Sequence, residues 1–231
     1  MKRRVWLAAA AVSFTAGSVW AQAYPNRVIK LQVPFAPGGT TDIVARTIAD
    51  PLGKALGQSV IVENKGGASG SIGAAFVAQA PADGYTFAVV FDSHAVNPAL
   101  IPSLPFDTKK DLAAVSLIGT AAMTIATPAT SEYKSFADVA TALKTGKPVS
   151  YGTIGNGSLG HLAMTLLGKQ NGLNWQHVPY KGGGPMMQDA VGGHVPLVIG
   201  SVFVVKPHID SGRVRALAVT TAKRSAELPN V

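Results

Sequence analysis

Four clusters of glycine with small neighbours are the stretches of this 231-residue sequence best able to do chemistry: Gly38-Gly39-Thr40-Thr41, Gly66-Gly67-Ala68-Ser69-Gly70, Gly155 to Gly160, and Gly182-Gly183-Gly184. Each follows an apolar, β-branched run and leads into a run with helical spacing. Glycine lets backbone N–H groups approach a ligand closely, and a helix N-terminus carries about half a positive charge, so loops of this kind hold anions. A tight turn would account for any one cluster alone. Four in one chain predict an anion site.

The third cluster, "GNGSLG", also spells G-x-G-x-x-G and lies one residue from G-x-S-x-G. A dinucleotide site needs Asp or Glu about 20 residues on, at the end of the next strand. Here that region is "NWQHVPYKG", with no acid before Asp189. A secreted α/β serine hydrolase, the alternative from another class, would use Ser158 as nucleophile with Asp189 and His194 or His208 downstream. Asn156 stands where that elbow expects glycine, and nothing else supports a triad. The histidines His94, His161, His177, His194 and His208 show no metal spacing, and the chain has no cysteine, so neither a metal nor a cofactor is expected.

These loops must be positioned by repeated strand-loop-helix units. "RVIKLQVPF" predicts a strand and "DIVARTIADPLGKAL" a helix carrying Ile43, Val44, Thr47, Ile48 and Leu52 at helical spacing. "SVIVEN" and "SIGAAFVAQA" repeat the unit, and "TFAVVF" leads into "DSHAVNPALI". Short apolar strands alternating with helices predict a mostly parallel sheet flanked by helices. The rhythm breaks at the proline-containing stretch after residue 101, then resumes with "SFADVATALKTG", capped by Ser135 and stopped by Gly146. "PVSYGTI", "NWQHVPY", "VPLVIG" and "VRALAVTT" are the later strands, and Pro207 should kink the last helix or delay its start. The chain divides into a first lobe over 24–108, a second over 109–220, and a segment 221–231 leading back toward the first.

Residues 1–23 read as a secretory signal: Lys2, Arg3 and Arg4, an apolar run, then Ala21 and Ala23 framing an A-x-A-like site. That predicts export of the mature protein. The net charge of +8 is scattered singly, with only Lys109-Lys110 and Lys223-Arg224 adjoining in the mature part, so no stripe tracks a nucleic-acid backbone.

The stretch "YPNRVIKLQVPFAPGGTTDIVARTIADPLGKALGQSVIVENKGGASGSIGAAFVAQAPADGYT" resembles the N-terminal signature of the substrate-binding receptors of tripartite tricarboxylate transporters, the Bug family. The likeness continues through "GNGSLGHLAMTLL", "VPYKGGGPMMQDAVGGHV" and "GRVRALAVTTAKRSAELPNV". It implies a two-lobed α/β periplasmic binding protein of type II-like architecture with the ligand cleft between lobes. Such a receptor is not an enzyme. It acts as a monomer, captures a small organic anion (a di- or tricarboxylate or an aromatic acid) and delivers it to membrane permease subunits; a sensor role without transport is the other use of the same fold.

Carried over, the resemblance assigns first-lobe contacts to Pro37, Gly38, Gly39, Thr40 and Asp42, and to Gly67, Ala68 and Ser69. Ser93, His94 and Asn97 fall in the third loop. Asn156, Gly157, Ser158 and His161 would receive the far end of the ligand, with Tyr180, Lys181 and Gly182 on the opposite rim. Many relatives carry an acid in the turn where this sequence has Gly200 and Ser201, which weighs against an amino-acid ligand. Family members also continue past the position of Val231, so a truncated member is expected.

Overall fold

The computed structural model describes residues 24–231; the signal expected over 1–23 lies outside them. Among the described residues no helix is long and apolar enough to cross a membrane.

The first lobe is a three-stranded parallel sheet in the order β2-β1-β3, built from β1 (Ile29–Val33), β2 (Val60–Asn64) and β3 (Thr86–Ala88). The central strand β1 has Ile29, Leu31 and Val33 buried along with Gln32, as expected where helices cover both faces. Helix α1 (Thr40–Leu56) buries Thr41, Asp42, Ala45 and Ala49 and stops at Gly57, whose φ of 66° suits glycine at a helix C-terminus. Its innermost face is therefore made of smaller side chains than the apolar spacing predicts. Ile43 and Ile48 are half-buried, and Thr47 is exposed with its hydroxyl donating to the Ile43 carbonyl. Small residues allow the helix to sit close on the sheet. Helices α2 (Ser71–Ala78) and α3 (Ser93–Leu100) complete the lobe.

The second sheet is mixed, in the order β6-β5-β7-β4-β8. Strand β5 (Ser150–Thr153) pairs in parallel with β6 (Gln176–Pro179) and β7 (Leu197–Ser201). β4 (Met123–Pro128) runs antiparallel to β7 and to β8 (Val214–Val219). Around it lie α4 (Phe136–Lys144), α5 (Leu159–Asn171), α6 (Gly183–Gly192) and α7 (Val202–Asp210). Ser135 caps α4 with Asp138 reaching back, as its sequence position predicts. Helix α7 begins at Val202 with Pro207 inside it, so the proline does not delay its start. Residues 113–122 join no strand and expose Val115 and Leu117.

The geometry that matters for function is at the strand ends. The loops after β1, β2 and β3 meet those after β5, β6 and β7, and the lobes are closed on one another. Ile154 from the second lobe packs against the first-lobe core of Leu31, Val33 and Phe35, while Ile43 packs against the second-lobe core around Met186 and Val204.

Candidate functional site

A cleft of about 170 Å³ lies between these loops, lined by Phe35, Gly67, Ala68, Ser69 and Gly70 from one lobe and Ile154, Gly155, Asn156, Pro179, Tyr180 and Lys181 from the other. Ligand crevices in open α/β sheets lie at this position, outside the carboxyl ends of the strands.

Its most unusual backbone is the loop 67–70. Gly67 and Gly70 have φ of 137° and 89°, and the non-glycine residues Ala68 and Ser69 also lie in the left-handed region, at 44° and 53°. Such conformations are costly for L-residues and persist only when neighbours hold them. Here the neighbours are in α3: Ser93 Oγ donates to the Ser69 carbonyl at 2.9 Å and Asn97 Nδ2 donates to the same oxygen at 3.0 Å. Both side chains are buried. Among the hydrogen bonds of the described residues, none uses the amides of Gly67, Ala68 or Ser69. Successive free amides on positive-φ backbone form a concavity suited to an anion.

Of the residues expected from sequence, the structure brings Gly67, Ala68, Ser69, Asn156, Tyr180 and Lys181 to the cleft wall. Lys181 is exposed and forms no ion pair among the described residues. Tyr180 donates its hydroxyl to Asp189 at 2.8 Å; burial and that bond push its pKa up to about 12, so it stays a neutral phenol whose ring faces the site.

The other expected residues lie outside this cleft lining and make contacts of their own. Pro37, Gly38 and Gly39 abut Gly183 and Gly184, while Gly182 lies against Phe35 and Ala36: a Cβ on Gly39 would lie 3.0 Å from the Gly183 amide, and one on Gly184 would collide with the Pro37 carbonyl. Thr40 hydrogen-bonds Ser201 across the lobes at 2.7 Å. Asp42 is buried beneath its own loop. Burial alone would raise its pKa, but bonds from Arg46, the Gly38 amide and Asn64 outweigh that and hold it below the ordinary carboxylate value. His94 stacks on Phe106 with ring centres 6.2 Å apart.

The start of α5 is engaged internally. Gly157 donates to His161 Nδ1 at 3.0 Å, the Ser158 amide to the Gly155 carbonyl at 3.3 Å, and the His161 amide to Ser158 Oγ at 3.3 Å. The Leu159 amide donates to Asp92 Oδ2 of the first lobe at 3.0 Å. The Ser158 hydroxyl donates to the Gly155 carbonyl, and Asp189 accepts from Tyr180, so no relay joins the residues nominated for a hydrolase. Beneath this helix start His161 stacks on His177 with ring centres 4.1 Å apart, and His177 Nε2 lies 2.7 Å from Thr153 Oγ1. Burial, then the charge of His161, lowers the His177 pKa to about 4.

Sequence reasoning passed over Asp92, Phe35, Ile154 and Pro179. The last three each sit at or just beyond the carboxyl end of a strand and before a glycine loop, which is the signal that could have found them. Asp92 stands at the N-cap of α3, and its second-lobe partner is 67 residues away.

Known proteins share this fold. Residues 44–231 match the "Tripartite tricarboxylate transporter family receptor" profile. Protein BugT of Bordetella pertussis is 38% identical, the match covering 94% of this chain and 67% of BugT. Among solved structures, R. palustris Rpa4515 with adipate gives a TM-score of 0.82 at 38% identity, covering 87% of this chain and 68% of that one. MatC from Rhodopseudomonas palustris with bound malate gives 0.82 at 30% identity, covering 90% and 71%. Across three curated relatives this chain spans 60% to 69% of their length.

Proposed function

This chain belongs to the tripartite tricarboxylate transporter family of receptors, which are solute-binding proteins, and we propose that it captures a small organic carboxylate in the periplasm for delivery to membrane permease subunits. It acts as a monomer, with lobes over 24–108 and 109–220 and no catalytic step. The observation that carries this reading is the row of free amides at Gly67, Ala68 and Ser69, facing Asn156 and Lys181 across a cleft with apolar walls. A buried carboxylate is costly unless several donors satisfy it, and charge-assisted bonds to N–H groups are the stronger kind. The adipate and malate bound by two relatives are small acids of this class.

The test is calorimetric titration with a panel of mono-, di- and tricarboxylates, repeated on Lys181→Met. We expect at least one acid to bind, and the variant to bind it about tenfold more weakly, the scale of one charged hydrogen bond. Binding by no acid, or binding indifferent to Lys181, contradicts the reading.

A further inference from the structure

We propose that Ser93 and Asn97 are positioning residues for the carboxylate: from inside the first lobe they hold the 67–70 turn in the shape that presents its free amides, without touching the ligand themselves. The proposal rests on the carboxylate-binding reading above and assigns residues that set its affinity.

Residues 67–70 form a tight turn, the Gly70 amide donating to the Gly67 carbonyl at 3.0 Å. Its two central residues both have positive φ, 44° at Ala68 and 53° at Ser69, which is the pattern of a type I′ turn. Gly, Asn and Asp dominate those places in such turns, because other side chains meet a steric penalty there. Ala and Ser therefore work against the conformation they adopt. Left to itself, a turn of this sequence would spend part of its time in another shape, and an anion that needs this one would bind more weakly by the same fraction.

The opposing force comes from α3. Ser93 and Asn97 are one helical turn apart, so their side chains share a face, and both donate to the same atom, the Ser69 carbonyl oxygen. With the Gly70 N–H on Gly67, the peptide between Ser69 and Gly70 is tied at its oxygen and at its hydrogen. Any rotation of that peptide breaks three hydrogen bonds at once. Both side chains are buried and neither lines the cleft. Asn97 Oδ1 has no partner among the described residues, so the bond to Ser69 is the one its side-chain amide makes there. The residue they hold also bridges the lobes, Ser69 Oγ donating to the Asn156 carbonyl at 2.6 Å. α3 is itself seated on the second lobe, where Asp92 Oδ2 accepts the Leu159 amide. One helix thus fixes both the turn that carries the free amides and its contact across the cleft.

Calorimetric titration with benzoate, hexanoate, adipate and citrate, on wild type, Asn97→Ala, Ala68→Gly and the double variant, tests this, because glycine adopts positive φ freely and needs the two bonds less. For the acid that wild type binds most tightly, Asn97→Ala should weaken binding about tenfold, the competent turn falling to about a tenth of the population. In the Ala68→Gly background the same substitution should weaken it about threefold or less. A residue that touched the ligand, or that served stability alone, would not be rescued in this way. An Asn97→Ala chain that melts cooperatively and binds as wild type does overturns the proposal, and so does a loss equal in the two backgrounds. Should Asn97→Ala fail to fold, Ser93→Ala is read in the same two backgrounds against the same outcomes. In those cases acids still bind wild type and the carboxylate reading stands; if none of the four binds it, that reading falls and this inference with it.

Discussion

Asp42 is 3% exposed, and its carboxylate holds the Gly38 amide, the Asn64 amide nitrogen and the Arg46 guanidinium. It fixes the first glycine loop from below. Asp42→Asn should therefore lower unfolding stability by about 1–3 kcal/mol, because it weakens bonds to a buried charged acceptor; an unchanged denaturant midpoint would contradict this. Since the folded pKa is held below the ordinary carboxylate value, the contribution is full above that value and disappears as pH falls through the lowered one. The glycine loop and the acid opening its helix were legible in the sequence. The partner Asn64 was not, because it comes from the next strand and only the parallel pairing of β1 with β2 brings it near. The same holds for Asp92, whose cap position could be read locally while its cross-lobe amide could not.

The start of α5 is the element on which the sequence offered the most readings. Its strand, loop and N-cap serine were legible; that the Leu159 amide would find the Asp92 carboxylate depended on how β3 and α3 approach it. Ser158→Ala should cost about 1 kcal/mol as a lost helix cap, with no esterase activity present before or after the change; turnover lost on substitution would restore the nucleophile reading. The histidine pair beneath the helix gives a pH signature. His177 is held neutral with its pKa lowered to about 4, while an unfolded histidine titrates near 6.5. Between those values the unfolded chain binds more protons, so stability is full above about 6.5 and falls as pH drops toward 4. Melting of wild type against His177→Gln across that window should show a shallower slope in the variant. Parallel slopes would place the sensitivity elsewhere. Helix ends in this protein were readable where a serine cap or a terminal glycine marks them; the antiparallel placement of β4 and β8 was not, because strand pairing is a long-range property.

At the scale of the molecule, closure depends on backbone meeting backbone. Two alternating α/β runs separated by a proline-containing crossover made two lobes legible. Which glycines face ligand and which face the other lobe was not, since both uses need the same residue. Gly184 is of the second kind: a Cβ there would strike the Pro37 carbonyl. Gly184→Ala should keep the fold yet depopulate the closed arrangement, weakening ligand binding by about tenfold or more in proportion to the lost closed fraction. Equal affinity in the variant would show that closure does not need this contact. The central claim, that the cleft recognises a carboxylate group, is tested most directly by thermal unfolding of the chain with an acid and with its amide, benzoate against benzamide and adipate against adipamide. Saturation by an acid at a hundredfold excess over its Kd should raise the midpoint by about 5–10 °C, and the matching amide should leave it in place. An amide that protects as well as its acid, or a midpoint that no acid moves, would contradict the account.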